Sequence, residues 1–239
     1  MLDTKRLQEL AAEIGAPLTD AQAARLDTYA ALLVEWNEKM NLTAITAPDE
    51  ILVKHFADSL TAAPYLPTGA FSLIDVGTGA GFPGVPLGIL RPDCQLTLLD
   101  SLNKRLIFLE ALCGAVGVDA TRVHARAEEG GQKQELREQF DVATARAVAA
   151  LPVLCEYCLP FVKVGGVFLA LKGPDADNEV AASANALKKL GGRVREVVAL
   201  TLPDPAGGVL ERRLVVVEKV SPTPALFPRP SAKMAKQPL

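Results

Sequence analysis

The sequence is short of the residues on which much enzyme chemistry relies. Its 239 residues include only two histidines, His55 and His124, and four cysteines without framework spacing. Cysteines in that pattern read as reduced thiols rather than a disulfide scaffold, and they place the chain in the cytoplasm. Cys155 and Cys158 fall inside a predicted helix with no further Cys or His at metal-ligand spacing, so they read as core thiols and no metal is expected. No uncharged apolar run approaches the roughly 18 residues of a membrane span, and no membrane partner is expected. The opening Met1-Leu-Asp-Thr-Lys-Arg passes directly into charged amphipathic sequence, unlike a secretory leader. A basic excess is also missing: the formal net charge of −3 excludes a protein that coats nucleic acid non-specifically. The end departs from this balance, because no acid follows Glu218 while Lys219, Arg229, Lys233 and Lys236 accumulate. Internal repeats and low-complexity tracts are absent. Hydrophobic residues, at 49%, suffice for one large domain or one domain with an extension.

The chain is organised around Leu73–Gly84, which reads L-I-D-V-G-T-G-A-G-F-P-G. Strand-forming residues lead into Asp75, and Gly77, Gly79 and Gly81 follow at alternate positions. Glycines at this density adopt torsions closed to other residues and let a bulky ligand approach the main chain. A strand ending in such a loop, with a helix after it, is how doubly wound α/β folds hold a nucleotide. The D-x-G-x-G-x-G form is the one used by S-adenosylmethionine (SAM) methyltransferases. The Asp75 carboxylate suits a ligand with cationic amino and sulfonium groups, so Asp75, Gly77 and Gly79 are candidate cofactor residues. A competing match exists. Gly79–Gly84 also satisfies G-x-G-x-x-G, with Asp100 near the distance of a ribose contact. The dinucleotide version needs a helix that begins inside the glycines, whereas Pro83 and Pro86 delay regular helix until about Pro83. SAM is favoured over a nicotinamide dinucleotide, and both over a turn that binds nothing.

Along the chain, a short helix over about 3–15 is followed by the capping box Thr19-x-x-Gln22 and a helical stripe through Leu26, Tyr29, Ala30, Leu33 and Val34. Ile51, Leu52, His55, Phe56, Ser59 and Leu60 share one face of another helix. These patterns predict a helical extension over 1–66 packed on the main sheet. From Phe71 the pattern alternates strand and helix, the signature of a parallel α/β sheet. Strands are expected at 71–76, 95–100, 120–124, 140–145, 166–171, 193–201 and 210–220. Helices are expected near 84–91, 103–116, 132–138, 149–162 and 175–190, with Gly117 at a helix C-cap. The last two strands flank Pro203-Asp-Pro-Ala-Gly-Gly, too short for a parallel crossover, so they must be antiparallel. The fold class is α/β, a Rossmann-like class I SAM-dependent methyltransferase sheet over 67–220 that is mostly parallel and ends in an antiparallel hairpin. Residues 221–239, with five prolines, read as an extended basic tail ordered by packing or by a partner.

Individual residues then suggest roles. Asp100 ends the second strand, where an acid accepts from both ribose hydroxyls of an adenosine; capping the next helix is the alternative. Arg126-Ala127-Glu128-Glu129 follows the third strand, where main-chain amide and carboxylate can read an adenine amino edge. Arg146 ends the fourth strand and is suited to a phosphate, the SAM carboxylate, a base edge or a rim salt bridge. Lys172 ends the fifth strand and suits a phosphate or a sheet cap. His55 lies on an apolar face and reads as a satisfied, partly buried histidine; Lys54, Asp58 and Ser59 share its helix and border the cleft.

The chain resembles the RsmG (GidB) family of bacterial 16S ribosomal RNA guanine-N7 methyltransferases. The resemblance rests on W-N-E-K-M-N-L-T at 36–43, H-F-A-D-S-L at 55–60 and D-V-G-T-G-A-G-F-P-G-V-P at 75–86. L-L-D-S-L-N-K-R at 98–105, R-A-E-E at 126–129, A-R-A at 145–147 and L-K-G at 171–173 extend it over nearly the whole chain. The resemblance implies that Gly77, Phe82, Ala127, Glu128 and Arg146 contact SAM, with Asp100 on the ribose. It implies methyl transfer to one guanine N7 in the decoding-region loop of 16S rRNA or the small subunit, by a monomer. N7 is an unprotonated lone pair, so no general base is needed and Arg146 is a positioning group. A guanine exposed from its helix is the expected substrate. His55, Lys39, Lys54, Lys104, Arg105, Lys172, Arg229 and Lys233 are candidate RNA contacts. Pro228-Arg229, Lys236 and Pro238-Leu239 match the family's basic tail, although its central glycine is absent at Ser231-Ala232-Lys233.

Overall fold

The computed structural model describes residues 1–239. Four helical segments come first: α1 (Thr4–Glu13), α2 (Asp20–Met40), α3 (Pro48–Glu50) and α4 (Asp58–Leu60). The residues between the last two, Ile51–Ala57, continue the same rod as a π-helix. The capping box forms: Thr19 Oγ1 accepts from the Gln22 amide at 3.3 Å, and Gln22 Oε1 accepts from the Thr19 amide at 2.9 Å. The Gln22 side-chain amide then donates to Leu90 O at 2.9 Å, and Arg25 donates to Gly117 O at 2.8 Å. Both bonds satisfy carbonyls at the ends of helices packed on the sheet, and the Arg25 charge suits the negative end of a helix dipole.

The strands are β1 (Phe71–Val76), β2 (Cys94–Asp100), β3 (Ala120–His124), β4 (Phe140–Arg146), β5 (Val162–Lys172), β6 (Gly192–Pro203) and β7 (Val209–Lys219). They form one sheet in the order β3-β2-β1-β4-β5-β7-β6. The first five pair in parallel, while β7 runs antiparallel between β5 and β6, as the short 203–209 connection requires. The strand order reverses between β1 and β4, and ligands of such sheets sit at the carboxyl ends beside that switch point. Around the sheet lie α5 (Gly84–Leu90), α6 (Asn103–Val116), α7 (Ala127–Gly130), α8 (Leu151–Cys158), α9 (Ala176–Ala182), α10 (Ala184–Leu190) and α11 (Ser231–Lys236). None of the helices is long and apolar enough to cross a membrane.

Alternation along the strands divides the apolar side chains between two faces. Leu73, Leu96 and Leu98 join Leu7, Leu26, Leu33, Leu52 and Phe56 from the N-terminal helices in one cluster. Ile74, Ala143 and Phe168 point to the other face and join Leu154 of α8 and Leu190 of α10. Each fully buried leucine contributes roughly 1.5–3 kcal/mol, so this shared cluster holds the helical segment to the sheet.

Four expectations need correction. No helix forms over 132–138, where Leu136 is the only apolar residue and no stripe exists to bury. The segment is a set of turns, closed by Glu138 in the left-handed region (φ 53°) with its amide donating to Pro160 O at 2.8 Å. The helix expected at 149–162 is regular only over Leu151–Cys158, and Pro160 lies in a 3₁₀ turn before β5, which begins at Val162. The helix expected at 175–190 breaks at Ser183 into α9 and α10. Nor is the tail simply extended. Phe227 and Arg229 are buried, and α11 follows. Lys219 is buried as well, donating to Leu159 O at 2.6 Å and Thr223 Oγ1 at 2.8 Å and pairing with Glu138 at 3.1 Å; burial pushes its pKa down.

Candidate active site

The glycine loop is braced from beneath. The fully buried Asp75 carboxylate accepts from Thr78 Oγ1 at 2.6 Å, the Gly84 amide at 2.9 Å and Thr144 Oγ1 at 3.2 Å. Burial raises its pKa to about 6, against the pull of those donors. Asp75 therefore fixes the loop rather than facing a ligand, which corrects its assignment as a cofactor contact. Fully buried beneath the loop, the carboxylate turns no exposed oxygen toward a sulfonium. Above it Gly77 takes φ +69°, and a Cβ there would lie 2.8 Å from Val148 Cγ2. The Gly79 amide donates to Asp100 Oδ2 at 2.9 Å.

Beside this loop lies a cleft of about 310 Å³, walled by Gly77, Asp100, Arg105, Ala127, Glu128 and Tyr157. Asp100 Oδ1 accepts from the Leu102 amide at 2.8 Å, and Oδ2 also receives Arg105 Nη1 at 3.2 Å. Gly77, Asp100, Ala127 and Glu128 are thus brought together as expected. The Phe82 side chain is not among them. It stacks between Tyr29 (centroids 5.0 Å apart) and His55 (4.4 Å), with the Arg146 guanidinium 4.9 Å from its ring centre.

A second cleft, about 370 Å³, is walled by Lys54, His55, Asp58, Arg146, Lys172 and Arg212. Arg146 Nη1 donates to Lys54 O at 3.0 Å and to Asp58 Oδ2 at 2.8 Å, and Nη2 donates to His55 Nδ1 at 3.2 Å. The π-helical stretch presents the first and last of these acceptors, with Asp58 directly after it, and such stretches recur at functional sites. Because a guanidinium only donates, His55 Nδ1 is the acceptor and Nε2–H donates to Thr43 Oγ1 at 3.0 Å. Burial and the Arg146 charge lower the His55 pKa to about 3, so the imidazole is neutral at physiological pH. Arg212, from β7, holds the other oxygen of Asp58 at 2.9 Å.

The two clefts meet at Ala147, which lines both and adopts φ +56°. A non-glycine residue in that region carries of order 1–3 kcal/mol of strain, a cost concentrated at functional sites. Arg146 before it turns into the basic cleft, and Val148 after it turns against Gly77.

The remaining candidates scatter. Lys54 pairs with Glu50 at 2.6 Å and Lys172 with Glu179 at 2.7 Å, both on the basic cleft. Lys104 donates to Met40 O at 3.2 Å. Arg229 is withdrawn from any surface role by a bidentate pair with the buried Glu156, at 2.8 and 2.7 Å. Lys39 and Lys233 line neither cleft. Tyr29 beneath Phe82, Arg212, Val148 and Glu179 carry no local sequence signal of a site; tertiary packing alone brings them there. No cluster of His, Cys, Asp or Glu is arranged to hold a metal ion. The largest hollow, about 730 Å³, opens at the opposite ends of the strands around Ser72, Cys94 and Gln95. It has neither the glycine loop nor the convergent charge, so the paired clefts are the candidate site.

Comparison with known proteins agrees with this geometry. The family model described as GidB, rRNA small subunit methyltransferase G, matches residues 22–206. A protein of Alkaliphilus metalliredigens named ribosomal RNA small subunit methyltransferase G is 50% identical over 230 residues, covering 95% of each chain. One of the same name from Clostridium beijerinckii is 48% identical, covering 98% of this chain and 97% of its own. Among solved structures, a SAM-dependent O-methyltransferase from Thermotoga maritima aligns with a TM-score of 0.52 at 18% identity, covering 79% of this chain and 71% of its own. An M. jannaschii protein in complex with AdoMet aligns at 0.51 and 13% identity, covering 65% of this chain and 72% of its own. At such identities these two speak to the fold alone.

Proposed function

The chain belongs to the GidB family, rRNA small subunit methyltransferase G, and from that membership we propose that it methylates N7 of one guanine in the decoding-region loop of 16S rRNA, with SAM as donor. The observation that carries this reading is the meeting of the two clefts at Ala147. One suits an adenosine-bearing donor and the other an anionic acceptor.

The residues present fit SAM. Gly77, at φ +69° and packed too closely on Val148 to admit a Cβ, leaves bare main chain on the cleft wall, and Asp100 offers carboxylate oxygens to ribose hydroxyls once Arg105 yields its 3.2 Å contact. Ala127 and Glu128, at the start of α7, supply a main-chain amide and a carboxylate beside them. Bound SAM would supply an electrophilic methyl that passes in line to the N7 lone pair, while the S–C bonding pair returns to sulfur.

The protein's own part is placement. N7 carries no proton, so no base is required, and none is poised: both His55 nitrogens are engaged and the ring stays neutral. Among the residues that line the basic cleft, Lys54, Arg146, Lys172 and Arg212 outnumber Asp58 and Glu179, with Glu50 pairing Lys54 at the rim, and such donors suit a nucleotide phosphate. Orienting two reactants in adjoining clefts is worth up to ~7–11 kcal/mol of barrier in well-aligned systems. The test is transfer from radiolabelled SAM to undermethylated small-subunit RNA and to whole subunits, followed by mapping of the modified base. Label at a single guanine N7 is expected. Label elsewhere, or none on any rRNA form, would refute the assignment.

A further inference from the structure

From the unfilled hydrogen-bonding capacity of the basic cleft, and resting on the guanine reading above, we infer that Glu179 is the residue that selects guanine, by accepting from the N1–H and N2–H₂ donors of the target base. Two carboxylates line this cleft, Asp58 and Glu179. Asp58 is spent, since Arg146 occupies one of its oxygens and Arg212 the other. Glu179 is half used. Its Oε2 accepts from the Leu151 amide at 2.6 Å and pairs with the Lys172 ammonium at 2.7 Å, whereas Oε1 accepts no hydrogen bond within the protein. The two contacts on Oε2 also fix the carboxylate plane, anchoring it to the first turn of α8 and the end of β5. The vacant oxygen of this half-buried, oriented carboxylate keeps both lone pairs, and these can accept together from two adjacent N–H donors of a base.

The chemistry favours guanine over the other purine. N7 and the N1/N2 edge lie on opposite sides of guanine, so a base that turns N7 toward the donor at Ala147 presents its N–H donors to the rest of the cleft. Adenine also has an N7 lone pair, and placement alone would not exclude it. Its corresponding edge carries the N1 acceptor, which a carboxylate oxygen repels. Sites built to hydrogen-bond a substrate discriminate well because a wrong ligand leaves buried polar atoms unpaired.

The experiment compares single-turnover methyl transfer to undermethylated small-subunit RNA carrying either guanine or inosine at the mapped position. Inosine keeps N7 and N1–H but lacks the N2 amino group. The wild-type protein should prefer guanine by about ten- to a hundredfold in kcat/KM, the value of one hydrogen bond to a charged group. In Glu179→Gln the side-chain oxygen stays with the Leu151 amide and an NH₂ replaces Oε1, so a donor faces donors. The guanine preference should fall to within about threefold, with the loss concentrated on guanine RNA. A general loss of folding or positioning would lower both substrates alike and leave the ratio intact. Glu179→Asp, which keeps the charge but retracts it, should narrow the preference to an intermediate value and carries the comparison if Glu179→Gln does not fold. An unchanged ratio in the variants, or no preference in the wild type, overturns the role of Glu179 while leaving the methyltransferase reading in place. Failure of the wild type to methylate guanine RNA at all overturns that reading, and this inference with it.

Discussion

Arg146 Nη1 stands 2.8 Å from Asp58 Oδ2, and this pair ties the end of β4 to the helical segment that precedes the sheet. Both side chains are nearly buried, at 13% and 7% exposure, and the contact sits one residue from the junction of the clefts. A guanidinium so placed sets the path of Ala147 by binding two acceptors on the π-helical stretch and the Asp58 carboxylate just after it.

Arg146→Lys should therefore fold and still fail as an enzyme. A lysine retains a charge for Asp58 but cannot span the Lys54 carbonyl and His55 Nδ1 with a planar fork. Single-turnover methyl transfer should drop on the order of 100-fold, as expected for misplacement of reacting groups. Thermal melting should shift by only a few degrees. A variant at wild-type rate would remove Arg146 from the positioning machinery.

The junction between Gly77 and Val148 yields a paired test. Gly77→Ala places a Cβ 2.8 Å from Val148 Cγ2 at φ +69°, and its affinity for SAM by calorimetry should fall at least about tenfold. Val148→Ala in the same chain removes the collision but not the torsional strain. Partial recovery is the expected result. Full recovery would assign the whole effect to the collision, and none would assign it to the backbone.

Two buried groups pull the pH dependence of stability in opposite directions. Asp75 has its pKa raised from 3.8 to about 6, so its contribution is complete below the lower value and fades as pH rises through the upper one. His55 has its pKa lowered from 6.5 to about 3, so its contribution is complete above 6.5 and fades as pH falls toward 3. Each slope approaches about 1.4 kcal/mol per pH unit where the folded and unfolded states differ by a full proton. Between roughly pH 4 and 6 the two nearly cancel. Urea unfolding of His55→Gln should expose the Asp75 slope, with stability falling as pH rises across that window, and Asp75→Asn should show the reverse. Parallel profiles in the two variants would contradict the linkage.

Arg229→Ala should unfold the protein more readily without altering its choice of substrate. It leaves Glu156 charged, fully buried and without its guanidinium, a loss of about 3–5 kcal/mol by analogy with other broken buried pairs. Urea denaturation reads the cost. RNA binding at temperatures well below melting should match the wild type, and a selective loss of RNA affinity would return Arg229 to the candidate contacts.

Most of the sheet was legible because β1, β2, β4 and β5 each carry an apolar run ended by glycine or charge, and because 203–209 is too short for anything but a hairpin. Gly77, Asp100, Ala127 and Glu128 converge on one cleft for the same reason: each follows a parallel strand, and parallel strands end on one rim. What sequence could not convey is pairing at long range. Asp58 and Arg212 lie 154 residues apart, and no local pattern couples them. Asp75 shows a different limit. Its spacing before the glycines is the signal of a nucleotide loop, but spacing does not say whether a carboxylate faces the ligand or the loop. Arg229 sits in a basic, proline-rich stretch that reads as solvated, and only the buried Glu156 opposite it reveals otherwise.

The apolar cluster that α1, α2 and the π-helical rod share with Leu73, Leu96 and Leu98 has a practical corollary for anyone trimming this protein. A fragment beginning near residue 67 would keep every strand and both cleft loops, and α5 and α6 would still cover part of this face, yet the apolar surface that the N-terminal helices bury would meet water. Phe82 would be stripped of the rings on both its sides, and Arg146 of its acceptors. Such a fragment should precipitate or bind ligands feebly. A protease nick between residues 41 and 47 should instead leave two pieces that remain together through gel filtration and separate only in denaturant.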